Sequence, residues 1–111
     1  MPSTLKMRRE LIFTLVADEQ YESLLHNSAR KGLLKQVNKT LGQLETNMRH
    51  PSLKTHEYDS LTGVRGERVW EAYVQHNTPG AYRVFFHCGP DSVEEGKRIP
   101  VLTIVAITPH P

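Results

Sequence analysis

The first apolar residues cluster from Glu10 to Val16, a short run rich in Leu, Ile and Phe that predicts a buried β-strand. Farther along, apolar residues recur at steps of three and four and so mark one stripe of a helix. This stripe comprises Leu33, Leu34, Val37, Leu41, Leu44 and Met48, and Tyr21, Leu24 and Leu25 show the same spacing before it. With Asp18 as N-cap, the pattern predicts two helices, or one interrupted near Gly32, that end before Pro51.

The second half of the chain is rich in residues that favour strands. ERVWEAYVQ and AYRVFFHC flank HNTPG, whose Asn, Pro and Gly are typical of turns, so the pair predicts an antiparallel hairpin. GPDSVEEGK indicates a polar loop. IPVLTIVAIT is apolar on both faces and predicts a last strand that is central or covered, with Pro100 at its first residue. The predicted order is β-α-α-β-β-β, an α+β fold with two helices packed on a small, mostly antiparallel sheet.

Composition narrows the class of protein. The length of 111 residues predicts a single domain over residues 1–111, and 38% hydrophobic with 23% charged residues is typical of a globular protein. A formal net charge of +2 permits a polyanionic partner without requiring one. The single cysteine, Cys88, excludes an internal disulfide framework, which fits a cytoplasmic location. The first apolar run is too short for a membrane span and lacks a signal-peptide cleavage pattern, so we expect no membrane partner.

The segment MRHPSLKTHEYDSL follows the predicted helices and places Arg49, His50, Lys54 and His56 around Pro51. One interpretation of this segment is a solvated connector, and the other is a loop that binds phosphate groups. The histidines of the chain show no pair with the short helical spacing of a zinc site, and there is no phosphate-binding glycine loop. We therefore expect neither a metal nor a cofactor.

Several stretches together resemble the RelE/ParE superfamily of bacterial toxins, and in particular the RelE-like cytotoxic translational repressors. They are FT at residues 13 and 14, LGQLETNMRHPSLKTHEYDSL, VWEAYV, YRVFF and LTIVAITPH, which follow one another over nearly the whole chain. The resemblance implies a RelE-like domain that acts as a ribosome-dependent messenger RNA endoribonuclease, a toxin of a type II toxin–antitoxin system. The implied partners are a cognate antitoxin, the ribosome and messenger RNA, with the protein as a homodimer or a toxin–antitoxin hetero-oligomer.

The resemblance also implies catalytic residues. Metal-independent cleavage needs a base for the ribose 2′-OH, a cation for the phosphate and an acid for the leaving 5′-oxygen. Arg83 matches the arginine of the YR motif and is assigned to the phosphate; alternatively, it pairs with a surface carboxylate such as Glu71. His110 matches the histidine that closes the last strand and is assigned as acid or base, or else it is frayed without a role. His50 and Lys54 match basic or acid–base positions and complete the catalytic set.

A second set of residues is predicted to bind RNA. It comprises Arg49, His56, Arg65, Arg68 and His87. Because side chains alternate along a strand, His87 shares a sheet face with Arg83, although packing in the core or at the rim is the alternative. The predicted loop from Arg49 to Tyr58 would border a phosphate-binding concavity formed with Arg83 and His110.

Two other functions remain open from the sequence. A ParE-like toxin would share the fold and inhibit DNA gyrase without being an enzyme. An inactive homologue would act only as an antitoxin-bound corepressor. The reaction product separates the first alternative from a ribonuclease, since one protein yields cut RNA in the ribosomal A site and the other yields gyrase trapped on DNA.

Overall fold

The computed structural model describes residues 9–76 and 78–110. Its helices and longer strands are β1 (Glu10–Phe13), α1 (Leu15–Leu25), α2 (Lys31–Thr46), β2 (His56–Thr62), β3 (Arg68–Tyr73), β4 (Tyr82–Cys88) and β7 (Val101–Pro109). Two short strands, β5 (Ser92–Glu94) and β6 (Lys97–Ile99), lie between β4 and β7. Short 3-10 turns at Ser28–Arg30 and Pro51–Leu53 precede α2 and β2.

Five strands form one sheet in the order β1-β7-β4-β3-β2, and β5 pairs with β6 in a separate two-stranded sheet. β1 runs parallel to β7, whereas the other neighbours in the larger sheet are antiparallel. The α+β class with two helices and a mostly antiparallel sheet is therefore confirmed. The β3–β4 hairpin and the central position of the last strand are confirmed as well.

The core lies between the helices and one face of the larger sheet. The predicted stripe of α2 is buried through Leu33, Val37, Leu41 and Leu44, which share one apolar cluster with alternate residues of the sheet: Ala72, Val84, Phe86, Leu102 and Ile104. Full burial of each large apolar side chain contributes about 1.5–3 kcal/mol. This cluster holds both helices on one face of the sheet, and the other face carries buried polar side chains such as Glu71 and Arg83 next to apolar ones such as Phe85.

The start of α1 differs from the prediction. β1 ends at Phe13, and Thr14 caps the helix by accepting a hydrogen bond from the Ala17 backbone N–H over 3.1 Å. The Thr14 hydroxyl also donates to the Val105 carbonyl oxygen over 3.0 Å, which ties the cap to β7. The predicted strand over Glu10 to Val16 was thus too long. Asp18 is not the N-cap but lies in the first turn of the helix.

The ends of α2 also differ. The break between the helices falls before Ser28, and Gly32 lies inside α2. The helix ends at Thr46, ahead of Pro51, which instead begins a 3-10 turn capped by His50. Proline suits this position because the first residues of a helical turn have no intrahelical acceptor for their N–H groups.

Two segments predicted as loops contain strands. The segment from Arg49 to Tyr58 becomes β2 at His56, and the predicted polar loop over residues 89–97 includes β5 and the start of β6. None of these three strands shows an alternating apolar pattern, because most of their side chains are exposed. β7 begins at Val101, directly after Pro100, whose carbonyl oxygen accepts from the Glu10 backbone N–H. In the part of the chain described, no helix is long and apolar enough to cross a membrane.

Candidate active site

The strand register gathers polar side chains on the sheet face opposite the helices. His56 of β2 lies opposite Glu71 of β3, and Tyr73 of β3 lies opposite Arg83 of β4. Directly opposed residues point to the same face, and side chains alternate along each strand. Because the intervening Ala72 belongs to the core beneath the helices, these four side chains belong to the other face.

Glu71 is the centre of the group and is only 1% exposed. Its Oε1 lies 2.7 Å from His56 Nε2. Its Oε2 lies 3.2 Å from His110 Nε2 and 3.5 Å from Arg83 Nε. A buried carboxylate is costly unless cations or donors surround it. The three neighbours lie at ion-pair distance, although neither carboxylate oxygen has a hydrogen-bond partner among the described residues. We call Glu71, His56, His110 and Arg83 the Glu71 cluster.

Arg83 is held firmly in this cluster. Its Nη1 donates to the carbonyl oxygens of Gln75 and Tyr82 over 2.7 and 3.0 Å. Its Cζ lies 3.6 Å from the centre of the Tyr73 ring, within the range of a cation–π contact. Because both Nη1 hydrogens point at carbonyl groups, a bidentate phosphate contact through Nη1 would first have to displace them. In this arrangement Arg83 supplies a fixed positive charge beside Glu71.

His56 has an acceptor at each ring nitrogen. Its Nδ1 lies 2.9 Å from the Lys54 carbonyl oxygen, and its Nε2 faces the Glu71 carboxylate. The contact with the carbonyl oxygen is a hydrogen bond, whereas the carboxylate lies at ion-pair distance without hydrogen-bond geometry. The side chain is 48% exposed, in contrast to Glu71, and a ligand can reach it from solvent.

His110 follows β7 and its side chain is 43% exposed. Its backbone N–H donates to the Ala81 carbonyl oxygen over 2.8 Å, which anchors the residue next to β4. The Tyr58 ring meets the His110 ring edge-on at 6.4 Å and lies 4.8 Å from the Phe85 ring. A hollow of about 280 Å³ opens beside these rings; it is lined by Tyr58, Ser60, Leu61, Phe85, Ala106, Thr108 and Pro109.

The other two predicted catalytic residues lie farther out. His50 caps the 3-10 turn: its Nδ1 accepts from the Ser52 backbone N–H over 3.1 Å. Lys54 is exposed, and its Nζ lies 5.8 Å from the centre of the Tyr73 ring, at the edge of the Glu71 cluster. The structure therefore brings Arg83 and His110 together, puts Lys54 beside them, and gives His50 a local structural contact.

The predicted RNA-binding residues are dispersed. His56 joins the Glu71 cluster, whereas Arg65 is exposed in the β2–β3 turn and Arg68 is exposed with its Nε 3.8 Å from a Glu57 oxygen. His87 is 6% exposed, and its Nδ1 lies 3.2 Å from the Cys88 carbonyl oxygen. Alternation does place it on the Arg83 face, but its ring is packed.

Arg49 lines a separate pocket of about 370 Å³ together with His50 and Lys54. Trp70 and Cys88, which also line this pocket, alternate with Glu71 and His87 and so lie on the helix-facing side of the sheet. The predicted concavity of residues 49–58 with Arg83 and His110 is thus formed only by the later part of that segment, from Lys54 onward.

Sequence reasoning missed the role of Glu71. From the sequence it had only the alternative role of a surface carboxylate paired with Arg83, whereas the structure shows it buried at the centre of the site. The signal in the sequence is a charged residue between Trp70 and Ala72, in a run that is otherwise rich in apolar residues. Burial of such a residue requires partners, and groups of this kind are enriched at functional sites. Among the described residues, no three His, Cys, Asp or Glu side chains are grouped so that they could hold a metal ion.

The chain was compared with known proteins. A scan against models of protein families finds no match, and no curated protein matches. Among solved structures, the chain is similar to the YoeB dimer from Staphylococcus aureus, with 18% sequence identity and a TM-score of 0.55. The similarity covers 94% of this chain and 99% of that chain. At this identity the comparison establishes the fold, and the chain therefore shares the α+β fold of YoeB.

Proposed function

We propose that this protein is the toxin of a type II toxin–antitoxin system and that it cuts messenger RNA on the ribosome. The observation that carries the proposal is the Glu71 cluster, which joins a buried carboxylate, two accessible imidazoles and a fixed guanidinium. The fold supports it, because YoeB is a type II toxin with a RelE/YoeB-type fold. The sequence stretches that resemble RelE-like toxins point the same way.

The cluster contains the groups needed for a displacement at phosphorus in which the ribose 2′-oxygen replaces the 5′-oxygen. The 2′-oxygen attacks the phosphorus and loses its proton to His110, which Glu71 orients. The bond from phosphorus to the 5′-oxygen breaks, and His56 donates a proton to that oxygen after one ring nitrogen gives up its contact with the Lys54 carbonyl or the Glu71 carboxylate. The products are a 2′,3′-cyclic phosphate and a 5′-hydroxyl. Positioned acids and bases of this kind each contribute about 10²–10⁴-fold to rate.

Glu71 and Arg83 have supporting roles in this mechanism. Glu71 is too buried to contact RNA, so it acts as a positioning residue that lies against both imidazoles. Arg83 stabilises the negative charge that develops on the phosphate from a fixed position, and a preorganised charge of this kind needs little rearrangement during the reaction. Lys54, at the edge of the cluster, adds a second cation on the path of the phosphate backbone.

The hollow beside Tyr58 suits a base next to the cut. Proteins that recognise single-stranded RNA stack splayed bases on aromatic rings, and Tyr58 presents such a ring beside His110. The hydroxyls of Ser60 and Thr108 line the same hollow and could form hydrogen bonds with the edge of the base.

Mapping the RNA ends tests this proposal. The purified protein is incubated with bacterial ribosomes carrying a defined messenger, and the expected products end in a 2′,3′-cyclic phosphate and a 5′-hydroxyl. A messenger with a 2′-deoxy residue at the cut position should stay intact, because it lacks the nucleophile. The same messenger without ribosomes is the control for ribosome dependence.

A gyrase inhibitor needs no acid–base pair, so the Glu71 cluster favours the ribonuclease over the ParE-like alternative. Intact RNA in the mapping experiment, together with gyrase trapped on DNA in a parallel assay, would establish that alternative instead. The proposal also implies an antitoxin encoded next to this gene. Co-expression of the neighbouring reading frame should yield a complex in which RNA cleavage is blocked.

A further inference from the structure

The pocket of about 370 Å³ that lies apart from the Glu71 cluster combines an apolar floor with a basic rim. Its apolar part is formed by Met48, Pro51, Trp70 and the thiol of Cys88. Trp70 packs against the hydrophobic core and is only partly buried, so part of its indole remains available to the pocket. Cys88 is exposed as a residue, and partial desolvation of its thiol raises the thiol pKa.

The rim carries positive charge and donors. Arg49 and Lys54 are exposed cations, and none of the lining residues is acidic. His50 contributes a donor as well: its Nδ1 accepts from the Ser52 N–H, so in the neutral ring the proton lies on Nε2. The volume is at the low end of the range for small-molecule pockets, about 300–1,000 Å³, which suits one compact ligand.

We propose that this pocket binds a single nucleotide, with its base against Trp70 and its phosphate on Arg49 and Lys54. An indole face offers stacking to any base, and an arginine provides planar donors for phosphate oxygens. A purely apolar ligand would leave the two cations unused. A simple anion would leave the apolar floor empty. The pocket therefore favours a ligand that has both an apolar ring and a negatively charged group.

Lys54 connects this pocket to the Glu71 cluster. It lines the pocket, and its Nζ also lies 5.8 Å from the Tyr73 ring on which Arg83 stacks. An RNA strand that passes Lys54 would place a nucleotide flanking the cut in the pocket, an extension that rests on the proposed ribonuclease function. A free nucleotide offers the same base and phosphate as a nucleotide of an RNA strand. The experiment below distinguishes these two sources of the bound nucleotide.

The chain contains one tryptophan and one cysteine, and both line this pocket, so the unmodified protein carries two reporters. Titration with adenosine 5′-monophosphate should quench Trp70 fluorescence and slow the alkylation of Cys88 by iodoacetamide, measured at alkaline pH because the thiol pKa is raised. Adenosine, which has the base without the phosphate, should bind about tenfold more weakly. Absence of both signals with the monophosphate at millimolar concentration would overturn the proposal.

Arg49→Ala provides the test by substitution. Arg49 is exposed, so the variant should fold, and the affinity for the monophosphate should fall by about tenfold. Lys35→Ala removes an exposed cation of α2 that does not line the pocket and should leave the affinity unchanged. Equal affinities in wild-type protein and Arg49→Ala would place the nucleotide elsewhere and overturn the assignment.

A short oligoribonucleotide separates the two sources. If the pocket takes a nucleotide of an RNA strand, the oligonucleotide should protect Cys88 and compete with the monophosphate, and Arg49→Ala should weaken its binding. If the pocket serves a free nucleotide, the monophosphate alone should protect Cys88. An acidic peptide of the antitoxin that protects Cys88 while neither nucleotide form does would overturn the proposal. These readouts do not need RNA cleavage, so failure of the proposed function would appear separately, as intact messenger with normal nucleotide binding.

Discussion

The guanidinium of Arg83 stacks on the Tyr73 ring, with its Cζ 3.6 Å from the ring centre. The same side chain donates to two backbone carbonyl groups through Nη1 and faces Glu71 through Nε. Arg83 is thus held by a ring, by the turn between β3 and β4, and by a carboxylate. A side chain with these contacts stabilises the fold and also fixes a charge in the candidate active site, and experiments on it must separate the two effects.

Arg83→Ala should lower the free energy of unfolding by about 3 kcal/mol or more, because it leaves Glu71 buried without its guanidinium partner. Urea denaturation of the purified protein measures this change. Arg98→Ala is the matched control: Arg98 also faces a carboxylate, Asp91, but is 80% exposed, and its loss should cost less than about 1 kcal/mol. Equal costs for the two variants would show that burial of the Arg83 pair does not matter.

Glu71 and Arg83 should be energetically coupled. Glu71→Gln leaves the Arg83 charge without its carboxylate, and Arg83→Gln leaves Glu71 with imidazoles as its only charged-partner candidates in the cluster, whereas the double variant removes both charges together. The double variant should therefore be about 1–3 kcal/mol more stable than the sum of the single effects predicts. Denaturation of the four proteins completes the cycle. Simple additivity would mean that the two groups do not interact in solution.

The sequence predicted the parts of the fold that depend on burial. The α2 stripe and the β3–β4 hairpin have strong periodic patterns because their apolar side chains fill one core. β2 could not be predicted in this way, since it is an edge strand with mostly exposed side chains and only one paired neighbour, β3. The Thr14 cap could not be predicted from local sequence either, because the Thr14 hydroxyl also bonds to the carbonyl oxygen of Val105, a residue distant in sequence.

For the candidate site, the sequence indicated individual residues but not their grouping. Arg83 and His110 were identified through motifs, yet the carboxylate between them was not, because Glu71 is recognisable as special only once its burial is known. His56 was predicted to bind RNA from a loop, whereas the register of β2 on β3 sets it opposite Glu71. Such groupings depend on strand register, which an exposed strand does not encode in its hydrophobic pattern.

Lys54→Gly should retain the backbone and remove the cation. Lys54 has a φ of 46°, in the left-handed region that costs a residue with a Cβ about 1 kcal/mol and that glycine adopts freely. Stability should therefore stay within about 1 kcal/mol of the wild type, while ribosome binding becomes weaker and less sensitive to salt. Thermal unfolding and binding at two salt concentrations measure both effects. Unchanged binding would remove Lys54 from the RNA path.

The Glu67 carboxylate should make the folded state less stable at acidic pH than at neutral pH. Hydrogen bonds from the backbone N–H groups of Glu67 and Arg65 lower the pKa of its carboxyl group. Because the folded-state pKa lies below the unfolded value, the stabilisation is present above the unfolded pKa and is lost as pH falls through the folded one. Glu67→Gln should thus lower the denaturation midpoint at neutral pH, and the difference from wild type should shrink below about pH 4. Glu19→Gln, an exposed carboxylate of α1, is the control.

On the proposed ribonuclease function, the two histidines of the Glu71 cluster should account for the pH dependence of RNA cleavage. If His110 takes the 2′-OH proton and His56 protonates the leaving oxygen, each alanine variant should cleave about 10²-fold or more slowly. Each should also lose one limb of a bell-shaped pH–rate profile: the acidic limb for the base His110 and the alkaline limb for the acid His56. His26→Ala is the matched control, since His26 also contacts a glutamate, Glu22, but lies on an exposed stretch after α1. Cleavage by both variants at the rate of His26→Ala would exclude the imidazoles from the chemistry. Loss of the alkaline limb in His110→Ala and of the acidic limb in His56→Ala would show that His110 is the acid and His56 the base.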